Sequence, residues 1–253
     1  MMRVLIDGNS LQARAHAQDG RRLATFLDLL RAIPGCHAAL SPAGPLTAGL
    51  LADQDVVVIT TRKWQDAPYS SQELECIPAF VRRGGGLLLM SNHGDVPGRQ
   101  PLDMTRSDAL LAHQFGVEIE NAFFTHPEPK RLSELTGADL LTTHPIIRGA
   151  VGEEPVRLIV TNNCCSLVST DGAPLVRLND RMTDQRNGFP AQGRCFAVAL
   201  ENSVQTGRGR VVVVADSGFI GAEGTTFPGV GLIERGDNAR FALNAVRWLG
   251  RAL

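Results

Sequence analysis

The sequence predicts an α/β fold with a mainly parallel central sheet and helices on both faces. Three short runs, at residues 56–59, 87–90 and 211–215, are apolar at every position. Continuous apolar runs of this length are typical of strands buried on both faces, as in parallel sheets. Helical patterns separate the strands in the first half of the chain. This alternation favours parallel strands joined by helical crossovers.

The first sixty residues begin with a predicted strand at 3–6. A helix follows at 21–33, where large apolar residues recur at helical spacing and Pro34-Gly35 ends the pattern. A weak strand near 37–40 and a short helix at 46–51 come next. The buried run then predicts a strand at 55–60.

The next unit begins at Ser70, which forms a predicted capping box with Glu73. The helix that it opens ends at Gly84, and Pro78 inside it is expected to bend it or delay its start. Residues 87–90 form the next strand, and 107–115 a helix that Gly116 ends.

The middle of the chain has a different character. Short strand patterns at 156–160, 175–178 and 195–199 lie between turn-rich segments. They predict an antiparallel extension of the sheet, inserted at about 117–206 into a single domain of residues 1–253. The regular pattern returns with a strand at 210–215 and a last helix capped by Asp237 or Asn238.

Composition excludes several classes of function. The formal net charge is −1 and no basic tract occurs, so we expect neither nucleic acid nor an anionic membrane as a partner. No apolar stretch approaches the length of a membrane span, and the N-terminus becomes polar too soon for a signal peptide. The five cysteines form no C-x-x-C pair, which argues against a disulfide framework or a zinc knuckle. We expect a cytoplasmic protein.

Polar side chains follow four of the predicted strands, at the point where each strand ends. If these strands are parallel, their carboxyl ends share one edge, which is where open α/β sheets bind ligands. Turn and cap propensity alone explains any single one of these residues, but the coincidence at four strand ends favours a site. The candidate ligand-binding residues are Asp7, Asn9, Arg62, Asn92, Asp216 and Ser217.

His93 is the best candidate for a catalytic acid or base, because imidazole exchanges protons near neutral pH. Asp95 is a candidate to orient it, with Asp7 or Asp216 as alternatives. Ser91 is a candidate nucleophile activated by a histidine. The G-x-S-x-G elbow of hydrolases is absent, however, and serine in this position is more often a turn former.

Two further chemistries stay open. A metal site could use His93 and Asp95 with His16 or Asp7, although no spaced metal motif supports it. Cys164-Cys165 could supply a nucleophile, although free cysteines are usually small buried hydrophobes. We predict no bound metal and no cofactor. Residues 218–224 are interpreted as a loop that shapes the pocket.

Several segments together resemble a known superfamily. Residues 84–94, with their glycine turn, apolar strand and Ser91-Asn92-His93-Gly94 ending, resemble the central strand and elbow of class I glutamine amidotransferase-like domains. The segment His144-Pro145-Ile146 with Gly149, and residues 209–217 followed by Asp237-Asn238, also resemble these proteins. Within the superfamily the chain is similar to non-glutaminase branches of mostly unknown function, including the trehalose-utilisation (ThuA-like) group. We expect a bacterial protein. The resemblance implies a flavodoxin-like three-layer sandwich.

The elbow departs from the glutaminase pattern. A glutaminase has a cysteine there and a histidine with an acidic partner near the end of the chain. This chain has no cysteine at the elbow, and its His126-Pro127-Glu128 lies in mid-chain. The resemblance therefore supports the fold but transfers no reaction.

Three functions remain as expectations. The first is a small-molecule enzyme, hydrolytic or sugar-modifying, with His93 as acid or base. The second is a non-catalytic module that binds a carbohydrate or a protein on the same scaffold, and the third is a metal-dependent hydrolase. The expected partner is a small molecule, with a carbohydrate as one option. A homodimer is expected only because two-fold dimers are the commonest oligomers.

Overall fold

A computed structural model describes residues 1–62, 67–128, 131–222 and 231–253 of the protein. Its strands are β1 (Met2–Ile6), β2 (Cys36–Leu40), β3 (Val56–Ile59), β4 (Gly86–Met90), β5 (Val117–Thr125), β6 (Ser133–Thr136), β7 (Leu158–Thr161), β8 (Asn163–Ser169), β9 (Ala173–Arg177), β10 (Thr183–Asp184), β11 (Cys195–Glu201) and β12 (Arg210–Val214). Its helices are α1 (Leu11–Asp19), α2 (Ala24–Ala32), α3 (Ala48–Leu51), α4 (Ser71–Arg82), α5 (Arg106–His113), α6 (Pro145–Arg148) and α7 (Asn238–Leu249).

Five parallel strands form one half of the main sheet, in the order β2-β1-β3-β4-β12. This is the 2-1-3-4-5 strand order of flavodoxin-like folds, whose switch point lies between the first and third strands. Every residue of β3 and β4 is buried, as expected for strands covered on both faces. The predicted α/β sandwich with a mainly parallel sheet is confirmed.

The middle of the chain extends the same sheet with antiparallel strands. β11 pairs antiparallel with β12, and β8, β5 and β10 continue the sheet outward, while β9 also pairs with β11. The predicted antiparallel extension is therefore confirmed. The division into one domain with an insertion at about 117–206 stays a prediction.

The local predictions differ from the structure in several places. Helix α1 was not predicted, because its sequence, LQARAHAQD, has only a weak apolar face. Strands β5 and β8 were also not predicted, since polar residues interrupt their apolar patterns. The strand predicted at 156–160 lies at Leu158–Thr161, and it pairs with β6 in a separate two-stranded sheet.

Helix α4 has the predicted capping box in both directions. The Ser70 hydroxyl accepts a hydrogen bond from the amide of Glu73, and the Glu73 carboxylate accepts one from the amide of Ser70. Pro78 lies inside the helix, which nevertheless begins at Ser71 and continues to Arg82. The helix packs its apolar face, which includes Ile77, Phe80 and Val81, into the core.

Candidate functional site

The carboxyl ends of β1, β3, β4 and β12 meet at one edge of the sheet, as predicted. The Asn92 amide donates to the Ser217 hydroxyl at 3.3 Å, which joins the ends of β4 and β12. The Arg62 guanidinium donates through Nε to Asp7 Oδ2 at 3.1 Å, which joins the ends of β3 and β1. Residues separated by more than a hundred positions in the sequence therefore share one edge.

The switch point between β1 and β3 is filled by a buried ionic cluster. Arg62 Nη2 lies 2.7 Å from Glu73 Oε1 and 3.1 Å from Asp7 Oδ2, and all three side chains are at most 3% exposed. Burial raises the pKa of Asp7, although Arg62 opposes this rise. Burial also acts to raise the pKa of Glu73, but hydrogen bonds from Arg62 and from the amides of Ser70 and Leu46 outweigh it, and the pKa is lowered. Arg62 and Asp7, both predicted to bind a ligand, thus already form an ion pair with each other.

A second buried cluster surrounds Asp108, which the sequence did not single out. Its carboxylate accepts hydrogen bonds from the Thr61 hydroxyl at 2.5 Å, the Arg62 amide at 3.0 Å and the Ser91 hydroxyl at 3.1 Å. Burial raises the pKa of Asp108 to about 7, although the three hydrogen bonds act to lower it. The only signal in the sequence was an acidic residue in the first turn of a helix, which is usually a favourable charge at a helix N-terminus.

Thr61 has an unusual backbone at this edge. Its φ is +79°, in the left-handed region that β-branched residues rarely adopt. Strained backbone of this kind persists only where the surroundings enforce it, and it occurs often at functional sites. Here the two hydrogen bonds to Asp108 from Thr61 and the following amide hold the conformation.

Ser91 is completely buried and donates its hydroxyl to Asp108. A nucleophile must reach its substrate, so this serine would act only after the edge opened. Its position favours a structural role over that of a nucleophile, and its hydrogen bond to Asp108 joins the end of β4 to α5.

His93 and Asn92, in contrast, are only half-buried. The His93 ring contacts Phe123 edge-on, with 4.9 Å between ring centroids, and its Nδ1 lies 2.7 Å from the carbonyl oxygen of Gly94. That carbonyl can only accept, so this contact favours the tautomer protonated at Nδ1 and leaves Nε2 with a lone pair. In this tautomer Nε2 is the ring atom that can accept a proton, and the side chain is partly exposed.

Asp95 is buried and serves the loop that follows β4. Its carboxylate accepts hydrogen bonds from the amides of Leu102 and Met104 and from the Asn121 side chain, the last at 2.8 Å. Burial acts to raise the pKa of Asp95, but these hydrogen bonds outweigh it and the pKa is lowered. The contacts explain how Asp95 positions the loop that carries His93, and its role in orienting the ring stays a prediction.

Asp216 and Ser217 belong to a third polar cluster. Asp216 accepts hydrogen bonds from the Thr161 hydroxyl at 2.8 Å and from the Gly218 amide at 2.6 Å. The Ser217 hydroxyl accepts from Gln12 at 3.2 Å, and Arg22 donates in turn to Gln12. This cluster lies next to Asn92, and all of its side chains are buried.

The remaining candidates have structural contacts. The Asn9 side chain donates a hydrogen bond to the carbonyl of Gly44 and accepts one from the amide of Gly44. His16 Nδ1 accepts the Leu23 amide at 3.2 Å. Cys164 and Cys165 are fully buried and burial raises the pKa of both thiols, so they are poor nucleophiles. The loop predicted at 218–224 ends outside the described residues, which stop at 222 in this region.

Two features are absent from the part of the chain that the structure describes. In this part of the chain, no three His, Cys, Asp or Glu side chains are arranged to hold a metal ion. Among its helices, none has the length and apolar character that crossing a bilayer requires.

The fold and the shared polar edge define a flavodoxin-like α/β protein with a candidate site at the carboxyl ends of its parallel strands. No protein-family model and no curated protein matches the chain. Solved structures, however, match it over nearly its whole length.

The N-terminal domain of mmIFT52 aligns with a TM-score of 0.68 at 13% identity, covering 98% of this chain and 97% of that one. A cytoplasmic protein from Salmonella typhimurium LT2 aligns with a TM-score of 0.62 at 15% identity, covering 98% and 99%. A ThuA-like protein from Bacteroides uniformis aligns with a TM-score of 0.58 at 14% identity, covering 98% and 91%. At these identities the likeness shows a shared fold alone, and that fold includes ThuA-like proteins.

Proposed function

We propose that this chain is a small-molecule enzyme of the non-glutaminase, amidotransferase-like branch, and that His93 is its acid or base. The observation that carries the proposal is a contrast in exposure among the candidate residues. His93, Asn92 and Asn9 are half-buried at the edge. The other candidates are buried: Asp7, Arg62, Ser91, Asp95, Asp216 and Ser217.

This contrast supports different roles for the two sets of residues. The buried clusters fix the ends of the strands, and the half-buried side chains bind the ligand. Amide side chains such as Asn92 both donate and accept hydrogen bonds, which suits a neutral polyhydroxylated ligand. The Phe123 ring beside His93 adds an apolar surface of the kind that ligand sites combine with a few polar groups.

A non-catalytic binding module is the second candidate. It is supported by the burial of Ser91 and by the ion pairs of Arg62 with Asp7 and Glu73, which engage these three side chains with one another. Such a module would use the same half-buried residues for binding without any proton transfer.

A screen of small molecules with His93 variants separates these candidates. Ligand-detected NMR would test binding of mono- and disaccharides, and mass spectrometry would detect turnover. If the chain is an enzyme, His93→Gln should lower turnover about 100-fold or more while the Kd changes little. His113→Ala, an exposed histidine at the end of α5, is the matched control and should change neither quantity.

Saturable binding without turnover in the wild-type protein would instead support the module. Turnover that survives His93→Gln and His93→Ala unchanged would refute the assigned acid or base. Turnover that depends on an added divalent cation would favour the metal-dependent hydrolase.

A further inference from the structure

A cleft lies at the opposite edge of the sheet, where the parallel strands begin. Its volume is about 780 Å³, within the range of small-molecule sites. Residues immediately before β3 and β4 line it, together with the carboxyl ends of α4 and α7. It is therefore separate from the site proposed above.

Three arginines, Arg83, Arg208 and Arg251, line this cleft. Among the contacts of the described residues, none of the three forms an ion pair with a carboxylate. Arg208 donates instead to the carbonyl of Arg83 at 3.4 Å, and Arg251 donates to the carbonyl of Arg208. Among the described residues, Asp55 supplies the one carboxylate that lines the cleft, and it accepts a hydrogen bond from the Arg3 amide at 2.7 Å.

The balance of charge in the cleft is positive. Asp55 contributes one negative charge, and the carboxyl ends of α4 and α7 contribute about half a charge each. Three guanidinium groups exceed this total. Since the whole chain has a net charge of −1, the excess is local and does not reflect its composition.

Arg251 has a backbone conformation that argues for a role of its side chain. Its amide bonds the carbonyl of Trp248, and the amide of Ala252 bonds the carbonyl of Arg247. This is the Schellman pattern, and it puts Arg251 at the left-handed position that glycine usually occupies, with φ +59°. Asn202, which also lines the cleft, has φ +54°. Strained residues of this kind occur often at ligand clamps.

We propose that this cleft binds a small molecule that carries a phosphate group. Guanidinium groups bind phosphate through charge-assisted, often bidentate, hydrogen bonds. Gly84, which also lines the cleft, leaves open space where a Cβ would lie.

A structural explanation of the arginines competes with this proposal. Basic residues after a helix also stabilise its carboxyl end without binding any ligand. The two explanations differ in what Arg251→Gly does. Glycine removes the backbone strain, so the proposal expects a Tm equal to or above that of the wild-type protein, together with weaker binding of phosphate.

The experiment is calorimetric titration of the full chain with inorganic phosphate, glucose 6-phosphate and glucose. We expect saturable binding of the two phosphate-bearing probes, with Kd on the order of 1 mM or below, and no binding of glucose. Arg251→Gly and Arg83→Gln should each raise the Kd for glucose 6-phosphate about fivefold or more, and added salt should raise it further. Arg106→Gln changes an exposed arginine outside the cleft and should leave the Kd unchanged.

Three results would overturn the proposal. The first is no saturable binding of either phosphate-bearing probe. The second is an equal loss of binding in Arg106→Gln, which would indicate an unspecific effect of net charge. The third is equal binding of glucose and glucose 6-phosphate, which would show that the arginines do not recognise the phosphate. None of these results would affect the role proposed for His93.

Discussion

Thr61 and Asp108 are joined by a 2.5 Å hydrogen bond across a strained turn. Thr61 has φ +79° at the end of β3, and Asp108 lies in the first turn of α5. The next residue, Arg62, donates its amide to the same carboxylate. Asp108 thus fixes the turn from which Arg62 reaches Asp7 and Glu73.

Replacing this carboxylate should destabilise the fold. In Asp108→Asn, one carboxylate oxygen is replaced by an NH₂ group, which cannot accept a hydrogen bond. The backbone amide of Arg62 can only donate, so it cannot adapt to this change. We expect the free energy of unfolding to fall by about 2 kcal/mol, the usual cost of an unsatisfied buried donor. Chemical denaturation at pH 8 measures it. Asp171→Asn, an exposed aspartate, is the control and should stay within about 0.5 kcal/mol of the wild-type value.

Asp108 should also make the free energy of unfolding depend on pH. Burial raises the pKa of Asp108 to about 7 in the folded protein, above its ordinary value of 3.8. Between these two values the folded state holds more protons than the unfolded state, so the contribution of Asp108 falls as the pH rises from about 4 to about 7. Glu73 and Asp95 act in the opposite direction, because their pKa values are lowered.

The difference in unfolding free energy between the wild-type protein and Asp108→Asn isolates the contribution of Asp108. Asn does not titrate, so the destabilisation caused by Asp108→Asn should be smallest near pH 7 and should grow as the pH falls towards 4. We expect the gap in unfolding free energy between wild type and variant to change steadily from pH 4 to pH 7. A gap that is constant over this range would show that Asp108 has an ordinary pKa.

Removing Arg62 should leave two buried carboxylates without a cation. Asp7 and Glu73 are each at most 2% exposed, so Arg62→Gln should cost about 3–5 kcal/mol at neutral pH. Protonation of the two carboxylates relieves the repulsion, so the loss should be smaller near pH 5. Arg131→Gln breaks an exposed pair with Glu128 and should cost less than about 1 kcal/mol. Equal effects of the two variants on the unfolding midpoint would contradict the ionic cluster.

The sequence predicted the parallel strands and their common edge because these features depend on local patterns. β3, β4 and β12 are apolar at nearly every position, and a polar residue follows each of them within two positions. The partners of the polar residues could not be predicted in the same way. Tertiary packing brings Arg62 into ion pairs with Asp7 and Glu73, and Ser91 into a hydrogen bond with Asp108. No spacing in the sequence encodes these contacts.

The interpretation of Asp95 shows the same limit. Proximity in sequence made it a natural partner for His93, since only Gly94 lies between them. In the structure its carboxylate meets the amides of Leu102 and Met104 and the side chain of Asn121. Asn121 lies on β5, a strand that the sequence did not predict, so this contact could not be anticipated.

Gly94 lets the loop that carries His93 lie against β5. Its amide donates to the carbonyl of Ala122 at 2.7 Å, and a Cβ at this position would lie 2.4 Å from Asn121 Oδ1 and 2.5 Å from the Ala122 amide nitrogen. Backbone cannot move aside as easily as a side chain, so Gly94→Ala should displace the loop and cost about 2 kcal/mol of unfolding free energy. The displacement should also separate His93 from Phe123, which two-dimensional NMR of the His93 ring would detect as a loss of the ring-current shift.

Gly49→Ala is the matched control, because its new Cβ would have no neighbour closer than 3.9 Å and alanine favours the helix that it belongs to. If Gly94→Ala unfolds at the wild-type midpoint and keeps the His93 ring shift, then the loop is not held by this close approach, and the exposure of His93 must be explained in another way.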